Sequence, residues 1–198
     1  MLDAAARTQY GPLILREIEA HFPELLIDIP RGWLIIHAQV WQESRWQPTA
    51  KSPVGAAGLL QLMPATDFEI DGDYDGFNPE GNLDNGIRYL AHQYRRLNEI
   101  PDPDERIRFA LASYNCGRGY VNKALMLARM ACNQPASYSR WNRAGRHAGR
   151  WQTWSFTAPR LADQMCEIRG RRPDYKQATD YVSKIMNRYE EYRVEATA

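Results

Sequence analysis

The sequence is short of cysteine, and that shortage excludes two kinds of small scaffold. Its 198 residues contain only three cysteines, Cys116, Cys132 and Cys166. Their odd number and wide spacing give no support to a disulfide framework or to a zinc site built on cysteine pairs. We therefore expect buried free thiols, no metal and no organic cofactor.

An excess of one charge and long apolar runs are also lacking. Lysine and arginine total 25 and aspartate and glutamate total 24, so the net charge of +1 gives no general attraction to nucleic acid or to a membrane surface. No segment is long and apolar enough to cross a bilayer, and residues 1–19 carry charges where a signal sequence would be apolar. We expect no nucleic-acid partner, no membrane insertion, and synthesis in the cytoplasm without a signal peptide.

Helical periodicity is abundant instead. Apolar residues recur at intervals of three and four in several segments, whereas no alternating run has the length of a strand. The segments are Leu13–Phe22, Trp33–Trp41, Ile87–Leu97, Ile107–Tyr114, Val121–Met130 and Tyr181–Tyr192. This pattern predicts an all-α protein, and the length predicts a single domain over residues 1–198. Asp102 and Asp104 are both candidates for the N-terminal cap of the helix that ends near Tyr114.

One carboxylate stands out because of its place in the second of these segments. At about 100° per residue, Trp33, Ile36 and Val40 share one face of that helix, and Glu43 falls at the margin of the face. We predict a half-buried carboxyl group near a helix C-terminus, where desolvation and the helix dipole both raise its pKa. Such a group can donate a proton near neutral pH. The alternative is a carboxylate on a solvated helix face, paired with Arg45 or Lys51.

A turn of small residues follows Glu43, and later motifs complete a family likeness. In chain order the motifs are Glu43-Ser44, Ser52-Pro53 with Gly55 to Gly58, Leu60 to Thr66, Gly86 with Tyr89-Leu90, Ala112 to Gly117 with Val121, and Tyr181 to Ile185. In this order and spacing they resemble the motifs of the soluble lytic transglycosylases, a family of lysozyme-like muramidases. The resemblance covers the chain from Trp33 to Tyr192 and implies a lysozyme-like helical fold.

The resemblance also implies a reaction. Glu43 would act as general acid toward the oxygen that joins N-acetylmuramic acid to N-acetylglucosamine in peptidoglycan, cleaving the β-1,4 bond. It would then act as general base toward the C6 hydroxyl of the same muramic acid, giving a 1,6-anhydro sugar. A second catalytic carboxylate is not required if the N-acetyl group of the substrate assists at the anomeric carbon.

Three residues near Glu43 are implied to bind the substrate. Ser52 would hydrogen-bond the muramyl sugar or the catalytic carboxylate, Gln61 would orient sugar amides, and Met63 would form an apolar floor for the ring. The structural alternatives are a turn hydroxyl for Ser52 and ordinary core packing for Met63.

Three residues farther along the chain are implied to take part as well. Tyr114 would stack on or hydrogen-bond the sugar, Asn115 would hold backbone or acetamido groups, and Tyr181 would hydrogen-bond near Glu43. The structural alternatives are a residue that ends a helix for Asn115 and a core aromatic for Tyr181.

The chain departs from the family pattern in several places. Cys116 stands where alanine is usual, and Gln177 and Thr179 stand where many members carry Glu and Arg. The stretch 131–176 is longer than the family pattern, and we interpret it as a Trp- and Arg-rich loop insertion before the C-terminal helices. Its aromatic residues suit either contact with the polymer or attachment of the loop to the core.

Two other functions stay open. A hydrolase resembling goose-type lysozyme would need an aspartate that positions water, and the candidates are Asp71, Asp73, Asp75 and Asp84. A non-enzymatic cell-wall-binding or virion component would retain a dormant site.

The expected partner is the glycan strand of bacterial peptidoglycan, bound by a monomer. The lack of an export signal favours a phage endolysin or virion-associated lysin that reaches the wall through a holin or by injection.

Overall fold

The structure, a computed structural model, describes residues 2–72, 75–132 and 174–196. These ranges form helices α1 (Leu2–His21), α2 (Glu24–Asp28), α3 (Trp33–Ser44), α4 (Pro64–Asp71), α5 (Pro79–Arg95), α6 (Pro103–Cys116), α7 (Arg118–Cys132) and α8 (Tyr175–Glu195). Within them no strand forms, and the extended pairs are isolated bridges at Ala57. The prediction of an all-α protein is confirmed. Most of the predicted insertion at 131–176 lies outside the described residues, including its tryptophans.

Helix α1 begins earlier than the periodicity predicts, and tertiary contacts account for the difference. The predicted segment starts at Leu13, whereas α1 starts at Leu2 and continues through Pro12. Near its first turn the Asp3 carboxylate accepts hydrogen bonds from Trp46 Nε1 at 2.7 Å and from the Tyr192 hydroxyl at 2.8 Å. Contacts with residues distant in sequence therefore hold the turns that precede the proline.

The chain divides into two compact units, residues 1–92 with 183–198 and residues 93–182. The first contains α1 to α4, and its core is aliphatic and aromatic. Fully buried members include Ile14, Ile18, Phe22, Leu25, Ile35 and Ile36. The end of α8 joins this core, since the Tyr189 hydroxyl donates to the Pro30 carbonyl at 2.6 Å. The prediction of a single domain over the whole chain stays a prediction.

The second unit contains α6 and α7, packed against each other. Asp102 caps α6, because its Oδ1 accepts the backbone N–H groups of Asp104 at 3.0 Å and Glu105 at 3.2 Å. Of the two capping candidates, Asp102 is the one used. Among the helices of the described residues, none is long and apolar enough to cross a membrane.

Candidate functional site

Glu43 lies in the last turn of α3, one residue before the helix ends. Its side chain is half-buried, while Ile36 and Val40 on the preceding turns are fully buried. Trp33, at the start of the helix, is partly exposed and marks the edge of the apolar face. The predicted half-buried carboxyl group near a helix C-terminus is therefore confirmed.

The helix ends abruptly after Glu43. Ser44 turns its hydroxyl back to donate to the Val40 carbonyl at 3.1 Å. Arg45 adopts a left-handed conformation with φ of 55°, and its backbone N–H caps the Trp41 carbonyl. The Arg45 guanidinium carbon lies 3.4 Å from the centre of the Trp41 ring. These contacts stop the helix at a position that leaves the carboxyl group in the final turn.

The chain then folds back on itself through a segment that we call the glycine turn, residues 50–62. Two successive turns lead into it, with Gln47 N–H donating to the Ser44 carbonyl and Ala50 N–H to the Gln47 carbonyl, each at 3.1 Å. The Ala50 carbonyl in turn accepts the Gly58 N–H at 2.9 Å. The glycine turn is thus tied by backbone hydrogen bonds to the segment that leaves α3.

Ser52 closes the first part of the glycine turn. Its Oγ accepts the Ala56 N–H at 2.9 Å, and its backbone N–H donates to the Ala56 carbonyl at 2.8 Å. Gly55 lies at the tip with φ of 95°, a conformation that strains any residue with a side chain. The hydroxyl therefore has the turn-forming role, and its own O–H remains able to donate to another group.

Gln61 closes the second part. Its amide Nε2 donates to the Ala50 carbonyl at 3.0 Å and to the Gly58 carbonyl at 2.8 Å, which uses both hydrogens of the amide. The residue has φ of 48°, so these bonds stabilise a backbone conformation that is uncommon outside glycine. Only the Oε1 atom is left for the substrate contact predicted for this side chain.

Asn82 on α5 fixes the glycine turn, and the sequence reasoning missed it. Its Oδ1 accepts the Leu60 N–H at 2.8 Å and its Nδ2 donates to the Ala57 carbonyl at 3.0 Å, with the residue only 1% exposed. Gly58 allows this approach, because a Cβ there would lie 2.6 Å from the Asn82 side chain, as well as 2.1 Å from the Gly76 carbonyl oxygen. Gly86 on α5 similarly makes room for the Leu60 side chain. The spacing of Asn82 and Gly86 by four residues was the available signal.

The remaining predicted substrate residues divide between the two units. Met63 precedes α4 and is 42% exposed, so it is not a core residue. In the second unit, Tyr114 and Asn115 are half-buried in the last turn of α6, and Tyr181 is buried in α8. Glu43, like Met63, belongs to the first unit.

One group of side chains in the described ranges has the composition of a metal site. Glu17, His21 and Asp84 each offer a ligand atom, and these atoms lie within 4.8 Å of one another. His21 Nε2 is 2.8 Å from Asp84 Oδ1, and Arg16 and Arg88 pair with the two carboxylates. A cation would have to displace these positive partners, so the group is explained as a network of ion pairs. Asp84, a candidate for the water-positioning aspartate, is part of that network.

The cysteine that follows Tyr114 and Asn115 has a thiol of low reactivity. Cys116 is a free thiol at the end of α6, and burial raises its pKa to about 12. The thiolate that nucleophilic chemistry needs is therefore scarce at neutral pH. Cys116 is best explained as a small apolar residue, and at this position the expected free thiol is present.

Comparisons with known proteins place this site in a family. Residues 33–134, about half of the chain, match the family model described as the transglycosylase SLT domain. Membrane-bound lytic murein transglycosylase F 2 of Alkalilimnicola ehrlichii is 36% identical over 151 residues, which are 76% of this chain and 30% of that protein. Membrane-bound lytic murein transglycosylase F of Desulfosudis oleivorans is 41% identical over 109 residues, 55% of this chain and 23% of that protein. The chain spans less than a third of the length of these relatives.

Solved structures share the fold. The 70 kDa soluble lytic transglycosylase from Escherichia coli matches with a TM-score of 0.59 and 23% identity over 94% of this chain and 24% of that one. A complex of the 70 kDa soluble lytic transglycosylase with bulgecin A matches with a TM-score of 0.61 and 22% identity over 100% of this chain and 26% of that one. At these identities the likeness concerns the fold alone, and the predicted helical lysozyme-like fold is confirmed. Because the family match also includes Glu43 and the whole glycine turn, the chain belongs to the transglycosylase SLT domain family.

Proposed function

We propose that this protein is a peptidoglycan lytic transglycosylase that cleaves the bond from N-acetylmuramic acid to N-acetylglucosamine. The observation that carries the proposal is the family match over residues 33–134, which contains Glu43 at the end of α3 and the glycine turn bound to the same segment. Named relatives of the same family are lytic murein transglycosylases. The wall is accordingly the proposed place of action, and delivery by a phage holin or virion stays a prediction, as does the monomeric state.

Glu43 is proposed to act first as an acid and then as a base. In the first step its proton passes to the glycosidic oxygen as the bond from that oxygen to the anomeric carbon of the muramic acid breaks. In the second step the C6 hydroxyl of the muramic acid bonds to the same carbon and its proton returns to Glu43. Partial burial and the carbonyl end of α3 support a proton donor at this position, since both oppose a full negative charge.

A solved neighbour supports the choice of a glutamate. The soluble lytic transglycosylase Slt from Pseudomonas aeruginosa has been crystallised as an inactive mutant in which a glutamate is replaced by glutamine, and it matches this chain with a TM-score of 0.59 at 22% identity. The same kind of change here is Glu43→Gln, which keeps the size of the side chain and removes the transferable proton.

The glycine turn is proposed to position the substrate more through its shape than through its amide and hydroxyl groups. Both amide hydrogens of Gln61 are used by backbone carbonyls, and Ser52 Oγ already accepts one hydrogen bond. Gln61 Oε1 and the Ser52 O–H are the atoms that remain for a sugar, and the exposed Met63 offers an apolar surface beside them in sequence. Contacts of the substrate with Tyr114, Asn115 and Tyr181 in the second unit stay part of the proposal.

Product analysis tests the proposed reaction. Purified peptidoglycan is digested with the wild type, with Glu43→Gln and with Glu24→Gln, a matched change at another half-buried glutamate. Mass spectrometry is expected to find anhydro products from the wild type and Glu24→Gln and almost none from Glu43→Gln. Hydrated, reducing products from the wild type would indicate a hydrolase instead. Equal digestion by all three proteins would exclude Glu43 as the catalytic acid.

A further inference from the structure

A cavity of about 650 Å³ lies in the first unit, beside the N-terminal half of α3, whereas Glu43 lies at the C-terminal end of that helix. One stripe of α1 forms its first wall, and the N-terminal half of α3 and the last residues of α8 form the others. The stripe consists of Ala4, Thr8, Gly11 and Leu15, which recur at helical spacing. Trp33 and Leu34 of α3 add apolar surface. The cavity has the size of an ordinary small-molecule site.

His37 is the polar group of this cavity, and its ring is held in place from two sides. The Trp33 ring lies at 5.1 Å and the Trp46 ring at 5.4 Å between centroids, both edge-on to the imidazole. The residue is only 2% exposed, and neither imidazole nitrogen has a hydrogen-bond partner among the described residues. An unpaired polar group costs stability when water is excluded, so a bound partner would recover that cost.

Gly11 keeps the edge of this ring beside the cavity. A Cβ atom at Gly11 would lie 3.6 Å from His37 Cε1 and 4.0 Å from Nε2, in van der Waals contact with that edge. Any larger residue would therefore place a side chain against this edge. The nitrogens themselves have almost no exposed surface, so a molecule in the cavity reaches Nε2 only after a small shift of the ring or of α1, and glycine leaves room for that shift.

The charges around the cavity favour a neutral occupant. The Arg7 guanidinium pairs with the Glu195 carboxylate at 2.9 Å, so the two charged lining residues neutralise each other. Burial and the nearby Arg7 lower the pKa of His37 to about 4, which leaves the imidazole neutral at physiological pH. A neutral imidazole offers one donor and one acceptor, which suits a hydroxyl group that can do both.

The cavity is separate from the region assigned to catalysis. His37 and Glu43 are six positions apart on α3, which places them about 120° apart around the helix axis and almost two turns apart along it. The two side chains therefore point to different sides of the same helix. A ligand on the His37 side would not occupy the position of the glycan.

We propose that this cavity is a second binding site, which takes a small neutral molecule with an aromatic or other ring and one hydroxyl group hydrogen-bonded to His37. The ring would lie between the α1 stripe and Trp33, against apolar surface. The hydroxyl would reach the imidazole edge beside Gly11. The proposal does not depend on the proposed reaction.

Nuclear magnetic resonance titration of the full chain with p-cresol tests it. Loss of a signal in His37→Leu assigns the His37 imidazole resonance among the four histidines of the sequence. In the wild type p-cresol is expected to shift this resonance saturably, with a dissociation constant of about 1 mM or lower. His37→Leu is expected to weaken p-cresol binding about tenfold, while binding of toluene, which has the ring without the hydroxyl, stays within about twofold.

A second variant tests the location without changing the core. Thr8 is exposed on α1 and lines the cavity, so Thr8→Trp should fill the space and abolish binding of both molecules. No saturable shift in the wild type, equal p-cresol affinity in wild type and His37→Leu, or undiminished binding in Thr8→Trp would each overturn the proposal. If His37→Leu does not fold, substitution of the other three histidines one at a time assigns the His37 resonance by elimination, and the wild-type titration and the Thr8→Trp comparison still decide the proposal.

Discussion

The two ends of α3 contrast in how their polar groups are satisfied. At the C-terminal end, the amide of Gln61 and the hydroxyl of Ser52 hold backbone groups of the glycine turn. In the N-terminal half, His37 is buried with both nitrogens unpaired in the described structure. The polar side chains of the glycine turn therefore stabilise the backbone, whereas the unsatisfied imidazole lies in a cavity that no sequence motif marks.

The largest expected effect is the loss of activity on replacement of Glu43, at the C-terminal end of α3. Replacing it with glutamine should lower the rate of release of soluble fragments from peptidoglycan by at least about 100-fold, because the proton donor is lost. The melting temperature should change little, since the half-buried side chain keeps its size. A turbidity assay and circular dichroism measure the two quantities. A parallel loss of rate and melting temperature would contradict a purely catalytic effect, with Glu24→Gln as control.

The next effect concerns two glycines of the glycine turn. Gly58→Ala should lower the free energy of unfolding by about 2–4 kcal/mol, because it combines φ of 79° with a Cβ atom 2.1 Å from the Gly76 oxygen. Gly55→Ala should cost about 1 kcal/mol, since φ of 95° is its only strain and the space around it is open. Urea unfolding of both variants measures the difference. Equal losses would show that the positive φ angle alone, and not the contact with the Gly76 oxygen, lowers the free energy of unfolding.

The third effect is a pH dependence of the free energy of unfolding, which should come from His37 in the N-terminal half of α3. The pKa of His37 is lowered from 6.5 to about 4 by burial, so the unfolded chain binds its proton more readily than the folded one. The free energy of unfolding should therefore fall as the pH falls, by about 2 kcal/mol between pH 7 and pH 5, with no further loss from this group below about pH 4. His37→Leu should lack this share of the slope. Identical slopes in both proteins would rule out His37 as its source.

Most of the fold and the half-buried position of Glu43 at a helix end could be predicted from the sequence, for two physical reasons, while the catalytic role of Glu43 stays a prediction. Helical periodicity reports burial directly, so all six predicted segments lie on helices to within two residues of their ends. Motif spacing reports chemistry that depends on particular side chains. The Asn82 clamp and the His37 cavity depend on which elements meet in space. Asn82 is 22 residues from Leu60, and the cavity joins α1 to the end of α8. The spacing of Asn82 and Gly86 on α5 is a weak signal for the first of them, and no local pattern marks the second.

The smallest effect decides whether Gln61 supports the backbone or binds the sugar. Gln61→Ala removes two hydrogen bonds to backbone carbonyls and should lower the free energy of unfolding by about 1–2 kcal/mol. If support is its main role, the activity that remains should follow the folded fraction, and the Michaelis constant for soluble glycan fragments should stay near the wild-type value. Gln47→Ala, at an exposed glutamine just before the glycine turn, is the control and should alter neither quantity. If the Michaelis constant rises while the free energy of unfolding is unchanged, Gln61 Oε1 binds the substrate. Gln61 would then no longer be a polar side chain that only supports the backbone, as the contrast with His37 requires.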